Sequence, residues 1–241
     1  MDTAIFQFCG CEQIDVFGAL EVFEKESERA LNLIINESAK KPVPRTFDSS
    51  HITSRQKAII NEGKNVSFVD SVAERDILFN WGAFFHFDFE RTVVSGGFVV
   101  QSDRSLSRVD EIARVVSFEY GYATIMDTNY LNPWLYLGGI AGGGSLVTSG
   151  PEYEKRIMMG RWGTHQYGSH ERGLIRAIYE KNYFGTKMLK SVIKDKPLEK
   201  EIEDISGCGL DQLSPTLLVL SVPREQCNRV MEELRHRVIA R

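Results

Sequence analysis

Cysteine is scarce: four in 241 residues, at Cys9, Cys11, Cys208 and Cys227. That number does not make a disulfide framework, and it suits a reducing compartment. Charge of one sign is also missing. Lys and Arg total 29 against 33 Asp and Glu, a net charge of −4, which gives no basic field to hold nucleic acid. The first residues contain neither a basic cluster nor a long apolar core, so they do not read as a secretory signal. No charge occurs between Thr128 and Pro151, but that stretch holds Asn129, Asn132, Pro133 and five glycines from Gly138 to Gly144. A membrane span needs about 20 mainly apolar residues, so the expectation is a buried strand followed by a glycine-rich turn. A cytoplasmic protein with no membrane association is expected.

The signatures of common chemistries are missing as well. The glycines Gly138–Gly144 lack the following Lys that would reach a phosphate, and their spacing is not that of a dinucleotide loop. Neither Cys-x-x-Cys nor His-Glu-x-x-His occurs among the five histidines and four cysteines, so no metal and no cofactor is expected. There is no Gly-x-Ser-x-Gly elbow. His165, His170 and Glu171 could supply three ligands or a proton-transfer cluster, and Asp88 with Glu90 an acidic pair. Solvated or hydrogen-bonding roles explain these residues without chemistry.

What is present is an ordinary globular composition, 42% hydrophobic and 10% aromatic, with enough length to bury a large core. Ala4–Phe8 reads as a strand that carries Cys9 and Cys11 on one face. A helix follows over Asp15–Leu33, and Lys40–Pro44 breaks regular structure. Ile77–Phe89 alternates, with Phe85, Phe87 and Phe89 on one face and His86, Asp88 and Glu90 on the other. Thr92–Gln101 reads as a strand that Gly96-Gly97 interrupts by a bulge or a tight hairpin. Ser105–Ser117 has helical periodicity through Leu106, Val109, Ile112, Ala113 and Val116. Tyr120–Met126, Trp134–Ile140 and Pro215–Val222 read as strands. Glu152–Met159, Leu198–Ile205 and Arg224–Ile239 read as helices, and Leu174–Tyr179 as a short helix or strand. This order predicts an α+β fold, antiparallel sheet or sheets with helices packed on one face. It forms one domain over 1–241, or two subdomains with a soft seam near 127–133.

The most suggestive surface is Arg161–Arg172, where Trp162 and Tyr167 mix with Arg161, His165, His170, Glu171 and glycines. Asp127, Asn129 and Tyr130 have a similar character. Large aromatic and directional polar groups together are typical of protein interfaces. Anchoring of long loops on the core is the competing reading.

Phe118-Glu119-Tyr120-Gly121-Tyr122-Ala123 after a helix, and Lys181–Leu189 before a polar helix, a Leu217–Val222 strand and a closing helix, together resemble bacterial immunity proteins of polymorphic-toxin and type VI secretion effector–immunity pairs. The resemblance covers about residues 118–239. It implies an α+β, cytoplasmic, non-catalytic protein that binds a cognate toxin and blocks it. The first 40 residues, with 8 acidic and 3 basic side chains, would then steer a basic toxin surface. The alternatives are an enzyme of unrecognised type using a His/Glu or Cys/His site, and an adaptor subunit. Pairing of two copies through an edge strand such as Pro215–Val222 would give a homodimer.

Overall fold

The computed structural model describes residues 2–71, 81–100, 105–127 and 169–239. The fold is α+β, and the chain divides into two compact units: residues 1–118 with 125–128, and residues 119–124 with 129–241. The expected seam near 127–133, the strand at Trp134–Ile140 and the helix at Glu152–Met159 fall almost wholly outside the described residues.

The first unit contains β1 (Asp2–Cys9), α1 (Val16–Ser27), β2 (Leu33–Asn36), β3 (Arg45–Thr46), α2 (Ser54–Asn61), β4 (Val66–Ser71), β5 (Trp81–Asp88), β6 (Val93–Val99) and α3 (Ser105–Val115). Its strands pair antiparallel in the order β1-β6-β5-β4-β2-β3. One face of this sheet is aromatic. Phe6, Phe8, Phe85, Phe87, Phe68 and Phe98 alternate onto it and are fully buried. Helix α1 lays Phe23 on Phe85 with ring centroids 4.5 Å apart and planes 8° from parallel. Val109, Ile112 and Ala113 of α3, with Val116 just after it, are buried beside α1. Burying each such ring contributes about 1.5–3 kcal/mol, with up to about 1.5 kcal/mol more for a well-placed aromatic pair.

Gly96 and Gly97 do not interrupt β6, contrary to expectation. The ladder runs straight through them, Phe6 opposite Gly96 and Phe85 opposite Gly96 on the other side. A Cβ on Gly96 would lie 2.5 Å from Phe6 Cζ, and one on Gly97 2.8 Å from Phe84 Cε1. The glycines make room for phenylalanines from both neighbouring strands. The helix expected over Asp15–Leu33 is also shorter. Asp15 caps it by accepting from Gly18 N (3.1 Å), and Glu28 ends it in the left-handed region at φ 56°. The carboxylate of Glu24 then accepts from Leu31 N (2.8 Å), which turns the chain into β2. Cys11 does not share the β1 strand with Cys9, because Gly10 (φ 76°) turns the chain out of it.

The second unit contains β7 (Tyr120–Asp127), whose last residues belong to the first, then β8 (Lys181–Gly185), α4 (Thr186–Leu189), β9 (Val192–Ile193), β10 (Lys196–Pro197), α5 (Leu198–Glu203), β11 (Leu210–Ser214), β12 (Leu217–Ser221) and α6 (Cys227–Glu233). Strands β11-β12-β8-β7 form an antiparallel sheet, and β9 with β10 a separate hairpin. Strand β12 is paired on both sides, so the expected Pro215–Val222 segment is an interior strand and offers no edge to a second copy. Leu174–Tyr179 is neither helix nor strand; Ile175 makes a single parallel bridge to Val238. The closing helix is correspondingly short, since Arg237 and Val238 leave it to serve that bridge. Asn182, fully buried, accepts from Tyr179 N (3.0 Å) and donates to Tyr179 O (2.7 Å), pinning the turn that starts β8.

Candidate functional site

The second face of the first unit's sheet carries a polar row. Gln7 lies opposite Ser95, Ser95 opposite His86, and His86 opposite Ser67. Ser67 Oγ donates to Glu37 Oε1 (2.9 Å) and lies 2.9 Å from His86 Nδ1. Burial pushes the Glu37 carboxyl up, against the hydrogen bond from Ser67. Burial and the nearby Arg91 charge depress His86 to about 4, so its ring is neutral at pH 7. A nucleophilic triad places the imidazole between hydroxyl and carboxylate. Here the hydroxyl stands in the middle and is fully buried. The arrangement therefore satisfies polar groups of β4, β5 and the residue that follows β2, and does not prepare Ser67 for attack.

Asp88 does not pair with Glu90. Strand β5 ends at Asp88, whose carboxylate accepts from Arg91 N (3.0 Å) and closes the turn, while Glu90 is exposed. The thiols are similarly quiet. Burial, with Cys9 close by, raises the Cys11 thiol well above its usual value. Burial and Glu180 push Cys227 up to about 11, and burial raises Cys208. None is a thiolate at neutral pH, the form a nucleophile requires.

In the second unit two fully buried arginines organise the polar interior. Arg176 donates through Nη1 to the Tyr122 hydroxyl and stacks over that ring with its guanidinium carbon 5.1 Å from the centroid. Its backbone N–H donates to the Tyr120 hydroxyl (3.1 Å). Alternation along β7 puts both tyrosines on the face that receives it. Arg237 grips Glu201 with two bonds, Nε to Oε2 (2.7 Å) and Nη2 to Oε1 (3.1 Å). It also donates to the carbonyls of Gly173 (3.3 Å), Ser191 (3.2 Å) and Lys196 (2.8 Å) and to Ser191 Oγ (3.3 Å). Burial raises the Glu201 carboxyl, but hydrogen bonds from Arg237 and His236 outweigh it, and the net shift is downward. Neither arginine stands out in the sequence; each sits among ordinary helix or loop residues, and only burial reveals it.

Of the residues expected at an interface, Arg161, Trp162, His165, Tyr167, Asn129 and Tyr130, and the side chain of Asp127, lie outside the described residues. His170 and Glu171 begin a 3₁₀ turn, His170–Arg172. The structure separates the two. His170 is buried, and burial lowers its basicity although Glu171 opposes the shift; Glu171 is exposed. This turn packs against α4. Among the described residues no group of three His, Cys, Asp or Glu is placed to hold a metal ion. Among the same residues no helix is long and apolar enough to cross a membrane.

No protein-family model matches the chain, and no curated protein matches it. Among solved structures, the fold is similar to that of the Pseudomonas aeruginosa T6SS protein PA0821. The TM-score is 0.51 at 13% identity, and the match covers 99% of this chain and 73% of that one.

Proposed function

We propose that this chain is a cytoplasmic immunity protein of a type VI secretion effector–immunity pair, neutralising a cognate antibacterial toxin by stoichiometric, non-catalytic binding. The observation that carries this reading is the fold shared with a T6SS protein along 99% of the chain. It agrees with the immunity-protein texture of residues 118–239. The inward use of Ser67 and His86 in the first unit, and of Arg176 and Arg237 in the second, supports it further, because these groups serve the interior of their own unit and leave recognition to exposed surface. Arg161, Trp162, His165, Tyr167 and Glu171, with Asp127, Asn129 and Tyr130, form the proposed contact. Exposed Glu12 and Glu21 add negative charge that speeds encounter with a basic toxin.

A tagged pull-down from the native bacterium, followed by mass spectrometry, tests the reading. One small protein retained at a one-to-one ratio is expected. Retention of no protein overturns it.

A further inference from the structure

The described Lys and Arg side chains of the first unit fall into two groups. Lys25, Arg29, Lys64, Arg91, Arg108 and Arg114 each lie within ion-pair distance of a carboxylate. Lys40, Lys41, Arg45, Arg55 and Lys57 are exposed, and among the described residues their side chains have neither a hydrogen bond nor an ion pair. The second group is gathered in one stretch. Residues 38–61 set these five cations against one acidic side chain, Asp48, a net of +4 in a chain whose total is −4. The remainder of the chain therefore carries −8.

Lys40, Lys41 and Arg45 belong to the connection between β2 and β3, which leaves the sheet after the pair Ile34 with Arg45. One end of it is anchored where Glu37 N donates to Asn65 O (2.9 Å) and Asn65 N to Ser38 Oγ (3.0 Å). The other end is held by Phe47 N on Asn32 O (2.8 Å). Gln56 donates through Nε2 to Thr46 O (2.9 Å), which seats α2, the helix that carries Arg55 and Lys57, against β3. Between the anchors, residues 40–44 make no hydrogen bond to other described residues, and Val43 is 59% exposed. Pro42 and Pro44 fix their own φ and hold Lys41 and Val43 out of the helical region.

The make-up of this face selects its partner. A protein interface draws on large aromatic anchors, and residues 38–61 expose no Trp, Tyr or Phe. Duplex phosphates would take the cations and leave Val43 in water. The boundary of an anionic bilayer takes both, the cations on headgroup phosphates and the apolar Pro-Val-Pro run against the acyl edge. Pro42 and Pro44 carry no N–H that would lose its partner there. The negative charge elsewhere is repelled by the same surface, which turns this face towards it. A peripheral contact of this kind needs no spanning segment.

We infer that the β2–β3 connection and α2 form a peripheral docking site for an anionic lipid surface. Lys40, Lys41, Arg45, Arg55 and Lys57 meet headgroup phosphates, and Val43 sits at the acyl boundary. The site rests on residues of the first unit alone and is independent of the proposed function. Each basic side chain held near an anionic leaflet contributes roughly fivefold in partitioning.

The test is co-sedimentation of the full chain with vesicles of equal parts phosphatidylglycerol and phosphatidylcholine, against vesicles of phosphatidylcholine alone. Wild type should pellet with the anionic vesicles only, and should be released as salt is raised. Lys40→Gln with Lys41→Gln and Arg45→Gln should weaken partitioning roughly a hundredfold. The melting temperature should stay that of wild type, because none of the three side chains is bonded. Lys25→Gln with Arg114→Gln and Lys200→Gln removes the same charge from ion-paired positions and should weaken partitioning far less. Val43→Ser should weaken it severalfold without changing the salt dependence. A duplex oligonucleotide is titrated in parallel. Absence of wild type from the anionic pellet overturns the inference, and so does an equal loss in the two triple variants. Tighter binding to the duplex than to the vesicles, with Val43→Ser silent in both, would assign the face to nucleic acid and overturn it as well. A pull-down that retains no protein would overturn the proposed function and leave this inference standing.

Discussion

Replacing Arg237 by methionine is the sharpest probe of the second unit. The change keeps much of the side-chain volume and removes the guanidinium. It leaves Glu201, whose side chain is 9% exposed, with His236 as its remaining partner, and takes a donor from the carbonyls of Gly173, Ser191 and Lys196, of which Ser191 keeps Leu198 N. Breaking a buried ion pair by removing one partner costs about 3–5 kcal/mol when the remaining charge has no other partner, and His236 beside Glu201 puts the expectation at the lower end, about 3 kcal/mol. With an unfolding slope of about 2 kcal/mol per molar urea, the midpoint should fall by on the order of 2 M. Adding Glu201→Gln should cost little more, and less than the sum of the two single changes, since it neutralises the remaining carboxylate. Equilibrium urea unfolding of wild type, both single variants and the double variant measures this. A loss below about 1 kcal/mol for Arg237→Met, or strict additivity with Glu201→Gln, would refute the clamp.

Other expectations follow from single contacts. Gly96→Ala should destabilise by about 1–3 kcal/mol or more, read by thermal melting, because its methyl meets the Phe6 ring. Thr53→Ala should cost about 1 kcal/mol by removing the capping box in which Thr53 and Gln56 satisfy each other's backbone at the start of α2. Asp195→Gly with Lys194→Asn should raise stability by roughly 1 kcal/mol, since both residues then suit the left-handed turn. His86 is held near 4 in the folded chain and titrates near 6.5 when unfolded, so the unfolded state binds more protons between those values. Its contribution is complete above pH 6.5 and declines by about 3 kcal/mol as the pH falls through about 4. Urea midpoints measured from pH 7 to 4 should fall less steeply in His86→Leu than in wild type, Glu37 acting in the opposite sense in both.

Much of this architecture was legible because hydrophobic period is a strong signal. The alternation Phe85, His86, Phe87, Asp88 reports a strand with one aromatic face, and the spacing of Val109, Ile112, Ala113 and Val116 reports a helix covering it. Misreadings arose where a single backbone position decides the outcome. Glu28 stops α1 in a conformation that glutamate seldom adopts, so nothing local announced β2. Gly96-Gly97 looked like punctuation because the phenylalanines that require it come from β1 and β5, distant in sequence. Arg237 was hidden for the same reason: its six hydrogen bonds reach residues from Gly173 to Glu201, contacts that no local spacing encodes.

The central claim is that this chain protects a cell from a toxin by binding it. Its most direct test is growth of cells expressing the protein that the chain retains in the pull-down, with and without the chain. The account predicts death in its absence and survival when it is co-expressed. Undiminished growth of cells that express the retained protein alone would contradict it.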